Sequence, residues 1–269
     1  MEALLLAGGK AERLGEAAQG LPKPLVPVAG FPLAEYTVGR LVAAGVTRVI
    51  VACKAGQEHI FVNALTGFGA EIEAQGERVP LGRGGGLRLA ASKRREDGPV
   101  IALNGDELLD VDFGALRAEH ERSGAGATIV VAQVRSPFGV VALEDDGRVS
   151  GFREAPMLDD WVNTGVYVLG PEALERLPEK GDHEQSTFPE LAAEGKLRGY
   201  RHDGVWLTVN TPKDLRRAAD FMEEHPDWRP RRAVSVRRSK PLANGSRSAV
   251  AAGCGWPRPR AATKGRCSR

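Results

Sequence analysis

Cysteine and histidine are scarce in this sequence. Three cysteines and five histidines occur among 269 residues. Cys53, Cys254 and Cys267 lack the spacing of metal ligands, and three cysteines are too few for a disulfide framework. No Ser/His or Cys/His arrangement of a nucleophilic enzyme is evident. We therefore expect a protein of a reducing, cytoplasmic compartment.

Long hydrophobic runs are also absent. No stretch of about 18 apolar residues occurs, so the sequence predicts no membrane-spanning helix. The apolar part of the N-terminal segment is too short for a signal peptide, and the segment lacks a basic start. Hydrophobic residues make up 42% and charged residues 27% of the chain, which is typical of a globular protein.

Acidic residues are missing from the C-terminal segment, residues 229–269, which holds 12 Lys and Arg. Residues 1–228 hold 25 Lys and Arg against 35 Asp and Glu, a net charge of −10. We predict a folded domain over 1–228 and a basic, disordered tail over 229–269. Such a tail could bind nucleic acid or acidic lipid. We favour a spurious extension, because the Arg/Ala/Gly/Pro/Ser bias is typical of GC-rich sequence read out of frame, and the acidic body argues against a nucleic-acid partner.

The first half of the chain alternates strand and helix patterns. Short apolar runs predict strands, and segments bounded by Pro, Asp or Gly predict helices. In chain order, these elements are 2–7 (strand), 32–44 (helix), 47–53 (strand), 85–95 (helix), 99–106 (strand) and 113–122 (helix). The alternation favours a mainly parallel sheet with helices on both faces.

Closely spaced strands follow between about 126 and 170, and the turn sequence at 144–148 predicts a hairpin. The remaining predicted elements are helices at 171–177, 187–194 and 212–224 and a strand at 205–209.

The first strand runs directly into Gly8-Gly9. Glycines after a strand expose backbone N–H groups to anions, and Arg13 and Lys23 could add the positive charge that a polyphosphate needs. The alternative is a tight turn with two surface cations. Neither G-x-x-x-x-G-K-[ST] nor G-x-G-x-x-G follows this strand.

Longer stretches extend this pattern in a fixed order. They are LAGGKAERL, LPKPLVPVAGFPLAEY, PLGRGGGL (80–87), LNGDELLDVD (103–112), FGVVALEDDGRVSGFRE (138–154), WVNTGVYVL (161–169), STFPELAAEGKL (186–197) and WLTVNTPKDL (206–215). Together they resemble the motifs of sugar-1-phosphate nucleotidyltransferases over about residues 1–225. The resemblance implies a three-layer α/β/α, Rossmann-like mixed sheet of the GT-A-like type.

The resemblance also implies the reaction and its partners. The sugar 1-phosphate attacks the α-phosphorus of a nucleoside triphosphate, and pyrophosphate leaves. A phosphate monoester has its second pKa at about 6 and is largely ionised at neutral pH, so no general base is required. Catalysis then depends on positioning and charge stabilisation. The partners are small molecules, and the sequence leaves the oligomeric state open, a homo-oligomer included.

By resemblance, Ala7, Gly8 and Gly9 contact the nucleotide. Arg13 stabilises the triphosphate and the departing pyrophosphate, and Lys23 reaches the phosphates where attack occurs.

The resemblance implies Mg²⁺ as cofactor. Asp106 follows a predicted strand at the sheet end where ligands of open α/β sheets bind, and its carboxylate suits Mg²⁺. The alternative is a turn Asp held by backbone N–H groups. Many relatives carry a second ligand, Asp, where this chain has Thr208. We place the second ligand at Asn210, which could instead cap the following helix.

Glu77 occupies a position at which relatives read the base, and Gly82 would let the base approach the backbone. A carboxylate only accepts hydrogen bonds, which suits the N1–H and N2–H donors of guanine. The alternative for Glu77 is an exposed loop charge.

Gly139, Glu154 and Asn163 match family positions that contact sugar hydroxyls. The alternatives are an edge-strand charge for Glu154 and an amide bonded to its own backbone for Asn163.

The family pattern is broken at three positions. Ala11 replaces a glycine. Ala155 replaces a lysine that binds the sugar phosphate, and Arg153 points to the opposite face of its strand. Arg83 replaces a common threonine and could be a replacement phosphate ligand.

We expect an enzyme similar to the mannose-1-phosphate guanylyltransferases, with heptose 1-phosphate as the other candidate sugar substrate. The alternatives are a uridylyl- or thymidylyltransferase of the same family and a non-catalytic relative that binds a nucleotide sugar.

Overall fold

The structure is a computed structural model, and it describes residues 1–9 and 11–232. Most of the predicted basic tail, from residue 233 onward, lies outside the described residues, as does Lys10. No helix in the described part of the chain combines the length and apolar character needed to cross a membrane.

The described chain contains thirteen strands, seven α-helices and three 3-10 helices, the last at Glu12–Ala18, Lys23–Leu25 and Pro226–Trp228. The strands are β1 (Glu2–Leu6), β2 (Pro27–Val28), β3 (Phe31–Pro32), β4 (Arg48–Lys54), β5 (Glu71–Glu77), β6 (Val100–Asn104), β7 (Glu107–Leu109), β8 (Ala127–Arg135), β9 (Val140–Leu143), β10 (Val149–Arg153), β11 (Met157–Leu169), β12 (Leu197–Arg201) and β13 (Trp206–Thr208). The helices are α1 (Leu33–Ala43), α2 (Glu58–Leu65), α3 (Gly82–Ala91), α4 (Phe113–Ser123), α5 (Pro171–Glu175), α6 (Thr187–Ala193) and α7 (Pro212–Glu224).

Seven strands form the central sheet in the order β12-β8-β11-β6-β1-β4-β5. β1 is parallel to both neighbours, with Leu4 opposite Ile50 on β4 and Ala102 on β6. β11 is antiparallel to both of its neighbours, which makes the sheet mixed. β1, β5 and β6 run in the same direction, so their carboxyl ends lie at the same end of the sheet. Ligands of open α/β sheets bind at the carboxyl ends of the strands.

The two faces of the sheet bury separate cores. On β1, Ala3 and Leu5 face one core and Leu4 the other, as the two-residue period of a strand requires. The first core is completed by residues of α1, α2 and α4, and the second by residues of α3, α5 and α6. The predicted three-layer α/β/α architecture is therefore confirmed.

A third apolar cluster lies beside the sheet and holds α7. It joins Leu14, Tyr36, Leu108, Val209 and Met222. α7 begins with a capping box in which the Thr211 side chain accepts a hydrogen bond from the Asp214 N–H. This packing and this cap fix the segment that carries Asn210.

Most predicted elements are present with small shifts, and six were not predicted. These six are α2 and the strands β2, β3, β5, β7 and β12. The helix predicted at 85–95 begins earlier, at Gly82, and ends at Ala91. The helix begins early because Gly181 O accepts from Gly84 N at 2.9 Å and Gly85 N at 3.3 Å, which satisfies N–H groups of its first turn.

The predicted hairpin is a separate two-stranded sheet of β9 and β10. Its large apolar side chains are exposed, among them Phe138, Leu143 and Phe152. The hairpin connects β8 to β11, and two of the predicted sugar residues, Gly139 and Glu154, lie directly before β9 and directly after β10.

The chain remains in contact with the domain beyond residue 228. Arg232 donates to the carboxylate of Glu35, a buried residue of α1, and to the carbonyl oxygens of Ala64 and Thr66. The first residues of the predicted tail therefore neutralise a buried charge of the domain.

Candidate active site

A cavity of about 460 Å³ lies at the carboxyl ends of β1, β5 and β6. Nine of the twelve predicted site residues line it: Ala7, Gly8, Gly9, Arg13, Lys23, Glu77, Gly82, Asp106 and Asn210. They come from seven separate segments of the chain, so the fold gathers them into one site. Their individual roles stay predictions.

The glycine-rich turn begins where β1 ends. Ala7 N donates to Ala52 O at 2.7 Å, which extends the pairing with β4 by one residue. After this bond the chain leaves the sheet, and Gly8 passes beside Glu77. A Cβ added to Gly8 would lie 3.2 Å from Glu77 Oε1. Glycine at position 8 therefore leaves room for the Glu77 carboxylate at the cavity wall.

Lys23 joins the two predicted metal ligands. Its Nζ lies 2.5 Å from Asp106 Oδ2 and 2.7 Å from Asn210 Oδ1. Lys23 is 9% exposed, so it is not the surface cation considered as an alternative. Thr211, not Asn210, caps α7, which leaves the Asn210 amide oxygen to face the cavity.

Gly105 brings Asp106 close to the end of β1. Gly105 N donates to Leu6 O at 2.8 Å, and a Cβ added to Gly105 would lie 2.8 Å from that same oxygen. A larger residue would push the turn away from the sheet. The Asn-Gly-Asp sequence thus fixes the carboxylate of Asp106 at the cavity floor.

Sequence reasoning missed Glu107, which also lines the cavity. Its Oε2 accepts a hydrogen bond from Trp206 Nε1 at 2.9 Å, across the β7–β13 pair. Burial raises the pKa of Glu107 to about 8, and the neighbouring charge of Asp106 adds to this effect. The signal in the sequence was a second acidic residue directly after Asp106.

Glu77 ends β5 and is half-buried, contrary to the alternative of an exposed loop charge. Its Oε2 accepts from Leu81 N at 3.2 Å, and burial raises the pKa of its carboxyl. A Cβ added to Gly86 of α3 would lie 2.8 Å from Glu77 Oε1. The side chain is therefore held between the glycine-rich turn and the glycine-rich helix.

Arg83 lines the same cavity but is already paired. Its guanidinium lies 2.5 Å from Asp182 Oδ2 and 2.8 Å from Glu184 Oε2. Glu184 Oε1 in turn accepts from Asn163 Nδ2 at 2.8 Å and from Tyr167 OH at 2.9 Å. This chain of contacts connects the cavity to a predicted sugar residue, and Glu184 and Tyr167 are members that sequence reasoning missed.

The three predicted sugar residues do not line the cavity. Asn163 Oδ1 accepts from Gly165 N at 2.8 Å, so this amide does bond to its own backbone, as the alternative held. Gly139 and Glu154 lie together at the base of the hairpin, where a Cβ added to Gly139 would be 3.2 Å from Glu154 Oε2. Their proposed sugar contacts stay predictions.

A cation other than Arg83 lies beside Ala155, the position at which the family pattern has a lysine. Ala155 has a φ of 42°, which places a residue with a side chain in the left-handed region. Its carbonyl oxygen accepts from Arg135 NH1 at 3.4 Å. Arg135 is thus, with Arg83, a candidate to supply the charge that the alanine lacks.

Comparison with known proteins agrees with this arrangement. A family model described as "Nucleotidyl transferase" matches residues 2–225. The chain belongs to the nucleotidyl transferase family. This membership confirms the resemblance drawn from the motifs.

Two relatives illustrate the match within the family. A mannose-1-phosphate guanyltransferase of Emericella nidulans is 36% identical, over 80% of this chain and 62% of that protein. A mannose-1-phosphate guanylyltransferase of Mycobacterium tuberculosis is 34% identical, over 82% of this chain and 65% of that protein. The chain therefore spans less than two thirds of the length of these relatives.

Solved structures share the fold. A Bacillus anthracis protein described as a glucose-1-phosphate thymidylyltransferase gives a TM-score of 0.67 at 20% identity, covering 82% of this chain and 95% of that chain. HddC from Yersinia pseudotuberculosis, in complex with GMP-PN, gives 0.63 at 21% identity, covering 82% and 99%. At these identities the likeness supports the fold alone.

Proposed function

We propose that the chain transfers a nucleoside monophosphate from a nucleoside triphosphate to a sugar 1-phosphate and releases pyrophosphate. Our best candidate pair is GTP and mannose 1-phosphate, because the relatives at 34–36% identity carry that activity in their names. The observation that carries the proposal is the convergence of Arg13, Lys23 and Asp106 beside Gly8-Gly9 in one cavity.

The cavity residues supply positioning and positive charge. Arg13 contacts the triphosphate and the departing pyrophosphate, and Lys23 stabilises charge on the phosphates where attack occurs. The attacking phosphate oxygen is already ionised at neutral pH, because the second pKa of a phosphate monoester is about 6. The reaction therefore needs no side chain to remove a proton.

The oxygens of Asp106 and Asn210 fit a magnesium ion. Both lie within 2.7 Å of one cationic atom, Lys23 Nζ, so they converge on a single position that suits a positive charge. Among residues 1–9 and 11–232, no group of three or more His, Cys, Asp or Glu side chains could hold a metal. Mg²⁺ prefers a coordination shell in which the protein supplies one or two oxygens and phosphates and water supply the rest. When bound, the ion would neutralise and orient phosphate oxygens.

We favour guanine as the base, because of the acceptors that Glu77 offers. The Glu77 carboxylate can accept hydrogen bonds from N1–H and N2–H together, and neither uracil nor thymine offers such a pair of donors. Gly82 lines the wall beside it and leaves its backbone accessible to the base. Sugar contacts from Gly139, Glu154 and Asn163, and the cytoplasmic location, stay predictions.

A non-catalytic nucleotide-sugar-binding protein is the second candidate. Ala155 favours it, because that position lacks the lysine expected to bind the sugar phosphate. Arg135 beside Ala155 argues against it, since a guanidinium can replace an ammonium as a phosphate ligand.

Pyrophosphate release tests the proposal. We would combine GTP, UTP, dTTP, ATP and CTP with mannose, glucose and other sugar 1-phosphates in the presence of Mg²⁺. We expect release that requires GTP and one sugar phosphate and is lost in Asp106→Asn. If no pair releases pyrophosphate although the nucleotide binds, transfer is contradicted and the binding protein is favoured.

A further inference from the structure

The ammonium of Lys23 occupies the point on which the two predicted metal ligands converge. We propose that Lys23 is an exchangeable counter-ion, which holds the Asp106–Asn210 site against the divalent cation until nucleotide phosphates draw the ammonium away. This inference rests on the metal role of Asp106 and Asn210 in the proposed function, and it concerns binding before any chemistry.

Lys23 and a divalent cation would use the same two oxygen atoms. Nζ contacts Asp106 Oδ2 at 2.5 Å and Asn210 Oδ1 at 2.7 Å, and both are hydrogen-bond distances. A magnesium ion ligated by the same oxygen atoms would have metal–oxygen distances of about 2.0–2.1 Å. The ammonium and the metal cannot both occupy that position, so they compete for the same two atoms.

The Lys23 side chain is 11% exposed and that of Asp106 is 28% exposed, so water screens their interaction only partly. A buried charge left without a partner is strongly unfavourable. The metal can therefore displace Lys23 without large cost only when another anion receives the ammonium.

The nucleotide supplies that anion. Lys23 lines the cavity beside Gly8 and Gly9, where we place the triphosphate. Its four-carbon stem lets the ammonium move from a carboxylate to a phosphate without backbone movement. Nucleotide and metal should therefore increase each other's affinity, because such coupling is reciprocal.

The test measures Mn²⁺ binding to the whole chain without substrates, from the electron paramagnetic resonance signal of free Mn²⁺. In Lys23→Met the competitor is absent, so we expect Mn²⁺ to bind about 10- to 100-fold more tightly than in wild type, the factor that corresponds to one charge-assisted hydrogen bond. Lys23→Gln, which keeps a donor without the charge, should be intermediate. Circular dichroism would establish that the variants are folded.

Two matched variants separate competition at the site from general charge. Arg13→Met removes a positive charge from the same cavity, and Lys93→Met removes an exposed one beyond the end of α3. We expect less than about threefold tightening for the first, since a screened surface charge interacts weakly, and none for the second. Added GTP should tighten Mn²⁺ binding much more in wild type than in Lys23→Met.

The proposal that Lys23 competes with the metal would be overturned if wild type, Lys23→Met and Lys23→Gln bound Mn²⁺ with equal affinity. It would also be overturned if Lys23→Met and Arg13→Met increased the Mn²⁺ affinity equally. Absence of Mn²⁺ binding in every variant would also overturn it. Failure of nucleotidyl transfer is distinguishable, because it would appear as absent pyrophosphate release while the Mn²⁺ gain in Lys23→Met persisted.

Discussion

The carboxylate of Glu77 should determine the choice of base, and Glu77→Gln tests this. One carboxylate oxygen accepts from Leu81 N at 3.2 Å, and the other faces Gly8 and Gly86, which leave room around it. Glutamine preserves the size of the side chain. It replaces one acceptor oxygen by an NH₂ group that faces the donors of guanine and cannot accept from them.

The size of the effect follows from the bonds that change. A hydrogen bond to a charged group contributes about 1.5–3 kcal/mol, and the substitution removes one of the two bonds to guanine and the charge from the other. Loss of one such bond alone predicts a fall in kcat/KM for GTP of about 10- to 150-fold, since 1.4 kcal/mol is a factor of ten. UTP turnover should change little.

Inosine triphosphate is the sharpest control, because it lacks only the 2-amino group of guanine. Wild type should prefer GTP to ITP by about tenfold or more, the value of one charge-assisted bond, and Glu77→Gln should lose most of this preference. A GTP/ITP ratio that is unchanged in the variant would refute the assignment of Glu77 to the base.

The same residue predicts a pH dependence. Burial raises the pKa of Glu77 above its ordinary value of 4.5. Only the ionised form accepts both bonds, so kcat/KM for GTP should fall as the pH decreases through this raised pKa. In Glu77→Gln this contribution to the acidic limb should disappear, whereas the ionisation of the sugar 1-phosphate, with its second pKa at about 6, affects both enzymes alike. A pH profile identical to wild type would contradict the reasoning.

Three further predictions concern stability and the sugar phosphate. Arg232→Met should lower the free energy of unfolding, measured by chemical denaturation, because it leaves the buried Glu35 without its guanidinium partner. We expect a loss of about 1–3 kcal/mol, between the values of exposed and buried ion pairs. The loss should be smaller below pH 4.5, where Glu35 is protonated in the folded and in the unfolded chain. Gly82→Ala should lower the thermal midpoint and the affinity for GTP, measured by calorimetry, because Gly82 has a φ of 78° and a Cβ there would lie 2.5 Å from Gly181 O; a midpoint within a degree of wild type would contradict this. Arg135→Met should raise KM for the sugar phosphate about tenfold, as expected for loss of one charge-assisted bond, and leave KM for GTP unchanged; an unchanged KM for the sugar phosphate would exclude Arg135 as the replacement for lysine.

The parts of the fold that the sequence predicted are those with strong local signals. β1 and β4 are continuous apolar runs, and α4 is bounded by Asp112, whose side chain caps it, and by Gly124 in the left-handed conformation. The unpredicted β5 has the sequence EIEAQGE, in which only Ile72 and Ala74 are apolar. It is an edge strand, so much of its surface faces water and leaves no hydrophobic run to detect.

The site was predictable where single residues carry the chemistry and not where contacts between distant segments do. The motifs predicted Asp106 and Asn210 as site residues independently of each other. Nothing in the sequence indicates that Lys23 contacts both, because it is 83 residues from Asp106 and 187 residues from Asn210 along the chain. The pairing of Arg83 with Glu184 spans 101 residues and is equally hidden. Such contacts depend on the order of strands in the sheet, which local patterns do not encode.

The sugar phosphate requires a cation to bind it, and the structure limits which cation is available. Among the residues that the structure describes, three cations line the cavity, Arg13, Lys23 and Arg83, but Lys23 and Arg83 are already paired with carboxylates. A second phosphorylated substrate therefore either recruits one of these paired cations or uses a cation outside the cavity. Releasing Arg83 would expose the carboxylates of Asp182 and Glu184 to an incoming anion, which is unfavourable. Arg135, bonded in the structure to the carbonyl of Ala155, can turn to a phosphate without leaving a buried charge behind. Because of this asymmetry we expect the sugar phosphate to bind on the β8–β11 side of the hairpin, and we choose Arg135 over Arg83 as the residue that compensates for Ala155.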